Sequence, residues 1–115
     1  LIKLCLDIGR LHLQDKIDDN FDSYDITKRF AKYAEVIHLW NVKVSNNLEN
    51  GHFPVLPDLD PDEGWADTEK YLKIIRQENK TCKILFEHRS DLITDEELES
   101  CYSWVNRILS EHGND

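Results

Sequence analysis

Apolar residues in this chain form short runs that alternate with longer amphipathic stretches. The run 1–8 is apolar at most positions and stops at Gly9, which predicts a buried strand. The run 36–44 is rich in β-branched and aromatic residues and too short for a typical helix, so it predicts a second strand. A third strand is predicted over 83–87. The polar side chains at or near the carboxyl ends of these strands are Asp7, His38 and Glu87.

Amphipathic helices are predicted between these strands. The first starts at a cap, Ser23 or Asp25, and ends near Glu35, because its apolar residues recur at steps of three and four. The second starts at the cap Asp67 and ends at about Asn79. The stretch between the first strand and the first helix is polar and carries no predicted element.

The last helix has the clearest start signal, because Thr94 and Glu97 form a capping box in front of an apolar stripe. The alternation of strands and helices predicts right-handed crossovers and a mostly parallel sheet. In such a sheet the carboxyl ends of the strands lie along one edge, where functional groups usually gather. We therefore expect Asp7, His38 and Glu87 to meet there.

Residues 45–64 are predicted to form a long loop on the active-site side. They hold all three prolines and two of the four glycines, with room for one short strand at 52–56. Long connections in compact domains are often functional.

Composition limits the classes of function. A chain of 115 residues suits one domain, 1–115, and no apolar run approaches the roughly 20 residues that span a bilayer. The formal charge of −9 argues against a surface that coats nucleic acid. Three cysteines without a C-x-x-C spacing predict reduced thiols in a cytoplasmic protein.

Three or four strands are too few to close a barrel, and buried-type parallel strands leave unpaired edges. We expect a partner to complete the sheet, either a missing N-terminal half or a second copy of the chain. Truncation is the preferred expectation, because lone parallel half-sheets expose apolar edges that soluble proteins usually cover.

Asp7, His38 and Glu87 are suitable ligands for a divalent ion such as Mn, Mg, Co or Zn. Three protein ligands leave room for substrate. The alternative is structural, since strand ends commonly carry polar residues where the chain leaves the core.

Four motifs appear in a familiar order: LCLDIGR at 4–10, VIHLWNVK at 36–43, GHFPV at 51–55 and ILFEH at 84–88. Together they resemble the xylose-isomerase-like barrels, which include sugar isomerases, sugar epimerases and apurinic-site endonucleases. The resemblance implies a (β/α)8 TIM-barrel-like fold of the α/β class. It places this chain as the C-terminal half, strands five to eight, with parallel strands and alternating helices.

The resemblance also implies roles for single residues. Asp7 matches the fifth-strand metal-binding aspartate, His38 the sixth-strand histidine and Glu87 the eighth-strand glutamate. His52 matches a loop histidine that binds an additional metal in the endonuclease branch. In the epimerase branch the residue matching Glu87 also moves a proton next to a carbonyl while the metal polarises substrate oxygens.

Two departures from the family pattern matter. The motif Asp-x-Gly-His appears here with Arg10 in place of the histidine, and a guanidinium cannot ligate a cation. Arg10 either holds a phosphate or carboxylate of the substrate or forms a surface salt bridge. The fourth-strand glutamate of the family lies outside this chain, so we expect the chain alone to be inactive.

Three further residues are candidate substrate contacts. Trp40 and Trp65 either stack on the apolar face of a sugar or pack in the core or a lid. Arg89 is either a cation in the pocket or part of an ordinary salt bridge.

The preferred hypothesis is a metal-dependent isomerase or epimerase of a sugar or sugar phosphate. The first alternative is a non-catalytic half-barrel that binds a partner or small ligand, because a fold does not guarantee activity. The second is an apurinic-site endonuclease relative, which Arg10 and the acidic charge disfavour.

Overall fold

The computed structural model of the chain describes residues 4–44 and 48–110. Residues 1–3 of the first predicted strand and 45–47 of the predicted loop lie outside the described residues. Short 3-10 turns occupy Ala31–Tyr33, Pro61–Glu63 and Ser90–Leu92. The strands are β1 (Leu4–Asp7), β2 (Ala34–Leu39), β3 (Asn41–Val44), β4 (Leu48–Phe53) and β5 (Lys83–Phe86), and the helices are α1 (Ile8–Ile17), α2 (Ser23–Phe30), α3 (Thr68–Glu78) and α4 (Asp95–Ser110).

The predicted parallel sheet is confirmed. It has three strands in the order β1-β2-β5, and both pairings are parallel. Its register places Asp7 beside His38 and His38 beside Leu85. The carboxyl ends of all three strands therefore lie along one edge of the sheet.

One face of this sheet carries the core. Leu6, Ile37 and Leu39 are buried on it, and they join a single apolar cluster with helical residues such as Leu72 and Val105. Because side chains alternate across a strand, neighbouring positions face the other way. On that second face Cys5 is exposed and Leu85 is 49% exposed, so the described residues leave it largely uncovered.

The helix α1 is not predicted by the sequence pattern, which indicates only a polar stretch after the first strand. Its buried side is narrow and consists of Ile8, Gly9 and His12. A continuous apolar stripe is the signal that sequence reasoning uses for a helix, and α1 lacks one. Its clearest local signal is the cap, since the Asp7 side chain accepts a hydrogen bond from the Arg10 backbone N–H.

The predicted strand 36–44 is interrupted at Trp40. β2 ends at Leu39, and β3 pairs antiparallel with β4 in a separate two-stranded sheet. The Asn41 side chain helps to fix this change of direction, because its Oδ1 accepts hydrogen bonds from the backbone N–H groups of Val42 and Ala66, at 2.8 and 2.9 Å. The short strand predicted at 52–56 is found earlier, as β4.

The other helices follow their predicted start signals closely. Asp67 caps α3 by accepting from the Lys70 N–H, and the capping box of Thr94 and Glu97 forms in both directions, at 3.0 and 3.1 Å. The helix α2 starts at Ser23 and is capped by Asp22 rather than by the predicted Ser23 or Asp25, and it ends at Phe30 rather than near residue 35.

The described residues thus form a mixed α/β structure that is compatible with part of a (β/α)8 barrel. They supply three parallel strands rather than the four implied by strands five to eight, because the β3–β4 hairpin does not join the main sheet. Within 4–44 and 48–110, the helices are all too short or too polar to cross a membrane.

Candidate metal centre

The three predicted ligands, Asp7, His38 and Glu87, come together at the carboxyl edge of the parallel sheet. One ligand atom from each of them can be chosen so that all three atoms lie within 4.8 Å of one another. Their side chains are partly buried, with exposed fractions of 21%, 28% and 31%. The cluster is therefore shielded by the fold but still reachable by a small solute.

The two oxygens of Asp7 have different partners. Oδ1 accepts a hydrogen bond of 3.1 Å from the Arg10 backbone N–H and so caps α1. Oδ2 lies 3.9 Å from His38 Nδ1 and 3.8 Å from Arg10 Nε. The cap fixes the orientation of the carboxylate, which leaves Oδ2 directed toward the cluster.

The position of Glu87 is set by the backbone of the neighbouring strand. It follows β5 directly, and its N–H donates a 3.0 Å hydrogen bond to Leu39 O at the end of β2. This bond brings Glu87 Oε1 into contact with His38 Nδ1. Glu87 and His38 are thus held together by the sheet itself.

A buried oxygen in this cluster favours a cation. Glu87 Oε1 has no contact with solvent, and among the described residues none gives it a hydrogen bond of normal geometry. In a neutral imidazole one ring nitrogen donates and the other accepts, so His38 Nδ1 either donates to this oxygen or faces it with a lone pair, depending on the tautomer. In the tautomer that leaves a lone pair on Nδ1, the buried carboxylate oxygen has no donor, and a cation bound by both atoms would remove the cost of burying it.

Two carboxylates and one imidazole match the donor preferences of Mn, Zn and Co, and with more water ligands those of Mg. Three protein ligands leave coordination positions for water or a substrate oxygen. A set of three ligands differs from the closed set of four that is typical of structural zinc sites.

His52 lies outside this three-residue cluster. Its imidazole is exposed and stacks on the indole of Trp40, with ring centroids 4.1 Å apart and the planes 14° apart. Its backbone has a positive φ of 53° and accepts a 2.8 Å hydrogen bond from the Arg89 N–H. These two contacts join the hairpin that carries His52 to Trp40, two residues after His38, and to Arg89, two residues after Glu87.

The two candidate tryptophans are both packed into the protein. Trp40 is 4% exposed and Trp65 is 8% exposed. The Trp65 ring is tilted against Phe53, with centroids 5.0 Å apart. Neither indole presents an open face to a sugar in this structure.

The two candidate arginines differ in their partners. Arg89 makes two hydrogen bonds to the Asp91 carboxylate, of 2.7 and 3.3 Å, at the protein surface. Arg10 has a 76% exposed side chain and lies near Asp7 without a hydrogen bond between guanidinium and carboxylate. Only Arg10 adjoins the metal cluster.

Two further titratable residues, one beside the cluster and one on α1, were not singled out as site residues by the sequence. Cys5 lies two residues before Asp7 on the same face of β1, and burial together with the Asp7 and Glu87 charges raises its pKa. His12 is buried on α1, where its Nε2 donates a 2.9 Å hydrogen bond to Gly64 O, and burial lowers its pKa. The alternation of side chains along a strand could have placed Cys5 on the same face as Asp7. Nothing in the sequence indicates that His12 bonds to Gly64.

Comparison with known protein families, with curated proteins and with solved structures finds no match to this chain.

Proposed function

We propose that this protein is a divalent-metal-dependent isomerase or epimerase of sugars, with Asp7, His38 and Glu87 as the protein ligands. The observation that carries the proposal is the convergence of one ligand atom from each of three parallel strands within 4.8 Å. The buried Glu87 Oε1, which contacts His38 Nδ1 but has no hydrogen bond of normal geometry among the described residues, supports a cation at this position. The order of the sequence motifs, which resembles the xylose-isomerase-like barrels, supports sugar chemistry.

In this mechanism Asp7 and His38 would hold the metal ion, and Glu87 would both hold the ion and move a proton. A bound divalent ion would polarise adjacent oxygens of the sugar and so acidify the carbon next to the carbonyl. Glu87 is held in place by its backbone bond to Leu39 O, and it takes the proton from that carbon as general base. A proton returned to the other face gives an epimer, and one returned to the neighbouring carbon gives an isomer.

The proposal includes a partner for the uncovered face of the sheet. In the described residues β1 and β5 each pair with β2 alone, and Cys5 and Leu85 on the face of the cluster are exposed. Additional strands, from a preceding half-barrel or a second copy of the chain, would cover this face. They would also supply the second acid or base that the reaction needs.

The first test is metal binding. Elemental analysis and Mn²⁺ or Zn²⁺ titration should find about one ion per chain in the wild type, and Asp7→Asn should weaken binding about tenfold or more. The matched control is Asp25→Asn, an exposed carboxylate on α2 that pairs with Arg29. Failure of the wild type to bind either ion, or equal binding by Asp7→Asn, would overturn the metal site.

The second test is turnover. The metal-loaded protein, together with the partner that completes its sheet, should interconvert sugars in a screen of ketoses and aldoses. Glu87→Gln should abolish this interconversion while leaving the circular dichroism spectrum unchanged. Normal turnover by that variant would exclude Glu87 as the proton-moving group.

A non-catalytic half-barrel is the second candidate. Arg10 favours it, because the family pattern has a histidine at this position and the guanidinium instead lies beside a metal ligand. One bound ion without turnover of any sugar would support this candidate. The endonuclease alternative is weaker, because His52 stacks on Trp40 and is not part of the three-residue cluster.

A further inference from the structure

We propose that Arg10 makes the site selective for sugars that carry an anionic group, either a phosphate ester or a carboxylate. This inference rests on the proposed metal-dependent sugar chemistry and adds the class of substrate. It is carried by the placement of one guanidinium relative to the metal cluster and by the charges of the residues around it.

Arg10 is attached directly to the metal centre. It lies in the first turn of α1, and its backbone N–H bonds to Oδ1 of the proposed ligand Asp7. Its guanidinium Nε is 3.8 Å from the other oxygen, Oδ2. The side chain is 76% exposed, so it can reach a molecule that is bound beside Asp7.

The contact between Arg10 and Asp7 is weak. A separation of 3.8 Å exceeds the roughly 3.2 Å limit of normal N–H···O hydrogen bonds, and exposed pairs of this kind contribute little to stability. The guanidinium can therefore leave Asp7 at small cost. A stronger anionic partner would displace the present contact.

The charges of the cluster predict that such a partner is needed once a metal binds. Asp7 and Glu87 together carry two negative charges, His38 is neutral as a ligand, and a divalent ion balances the two carboxylates. Arg10 then adds one positive charge, and the metal ion already neutralises both carboxylates of the cluster. A substrate with one or two negative charges near the reacting carbons would complement that charge.

Arg89 is not placed to bind the same anion, because its guanidinium makes two hydrogen bonds to the Asp91 carboxylate. Arg10, by contrast, lines an open cleft of about 370 Å³ together with Asp7, Cys5 and residues of α1, and His38 and Glu87 are not among the lining residues. A planar guanidinium can hold a phosphate or carboxylate through two parallel hydrogen bonds, which fixes the orientation of the sugar.

The inference is tested by calorimetric titration of the Mn²⁺-loaded protein with three probes: fructose 6-phosphate, glucuronate and fructose. We expect at least one anionic probe to bind about tenfold more tightly than fructose. Arg10→Gln should bind the anionic probes and fructose with similar affinities, and Arg10→Lys should restore part of the preference. The matched control is Arg29→Gln, another exposed arginine that pairs with an aspartate on its own helix, and it should behave as the wild type.

The outcomes separate this inference from the proposed function. Tighter binding of fructose 6-phosphate or of glucuronate supports it and identifies the phosphate or the carboxylate as the source of the charge. If the wild type binds Mn²⁺ but shows no preference for either anion, or if Arg10→Gln retains the preference, the inference is overturned and the metal site stands. If the wild type binds no Mn²⁺ in the first titration, both are overturned.

Discussion

The indole of Trp40 lies against the backbone of Gly9, so closely that a Cβ on Gly9 would stand 2.2 Å from the ring atom Cε2. Trp40 follows β2, and Gly9 is the second residue of α1. The contact thus joins α1, which Asp7 caps, to the link between β2 and the β3–β4 hairpin, two residues after His38. Because both ends of the contact adjoin a residue of the Asp7, His38 and Glu87 cluster, it contributes to the shape of that cluster.

Gly9→Ala should destabilise the protein by at least about 2 kcal/mol, because the added methyl group overlaps a buried ring that has little room to move. The free energy of unfolding in urea measures the effect. Gly51→Ala is the matched control, since a Cβ there meets nothing within 4 Å, and it should change stability by less than about 1 kcal/mol. Equal effects of the two substitutions would show that Gly9 and Trp40 are not in close contact.

His12 should make stability depend on pH in the weakly acidic range. Burial lowers the pKa of His12 below its ordinary value of 6.5, so between the folded and unfolded pKa values the unfolded state binds more protons. Its contribution is therefore complete above about pH 6.5 and is lost as the pH falls. Urea unfolding between pH 7.5 and 5.5, with a chelator present, measures this loss.

The variant His12→Gln isolates that contribution, because it removes the titrating group while keeping a side-chain donor for Gly64 O. Its stability should fall less steeply with decreasing pH than that of the wild type. His88, whose pKa is also lowered by burial, stays present in both proteins and cancels in the comparison. Identical pH profiles would mean that His12 is not neutral and buried in the folded state.

Divalent metal should stabilise the folded protein. Mn²⁺ or Zn²⁺ at about one hundred times its dissociation constant should raise the free energy of unfolding by about 2.7 kcal/mol, because it binds the folded state alone. Glu87→Gln should lose most of this gain, since an amide is a poorer ligand than a carboxylate. Glu69→Gln, an exposed residue paired with Lys73 on α3, should retain it.

Arg10→Gln should raise the affinity for Mn²⁺ by about two- to fivefold at low salt. The guanidinium near Asp7 Oδ2 repels a divalent ion, and it competes with that ion for the carboxylate. The gain should shrink as salt is added, because the exposed charge is screened. A loss of affinity in the variant would show that Arg10 supports the metal ligands rather than opposing them.

The sequence pattern predicts the elements whose signals are local. The strand of Ile37 and His38, the helix cap at Asp67 and the capping box at Thr94 are all found, because each depends on neighbouring residues alone. The convergence of Asp7, His38 and Glu87 is likewise found, since parallel strands align their carboxyl ends. The role of these residues as metal ligands stays a prediction.

Other features depend on contacts between residues distant in the chain. The break at Trp40 follows from the Asn41 side chain, which reaches Ala66, and the helix α1 buries His12 against Gly64 rather than an apolar stripe. Neither partner can be inferred from spacing. The sequence alone therefore determined the three strands of the parallel sheet, their direction and the polar residues that end them, because hydrophobic alternation and capping act over a few residues. Only the tertiary structure decided that Trp40 and Trp65 are packed inside, that Arg89 is held by Asp91 and that Arg10 adjoins the cluster, because side-chain partners are chosen by the packing of the whole chain.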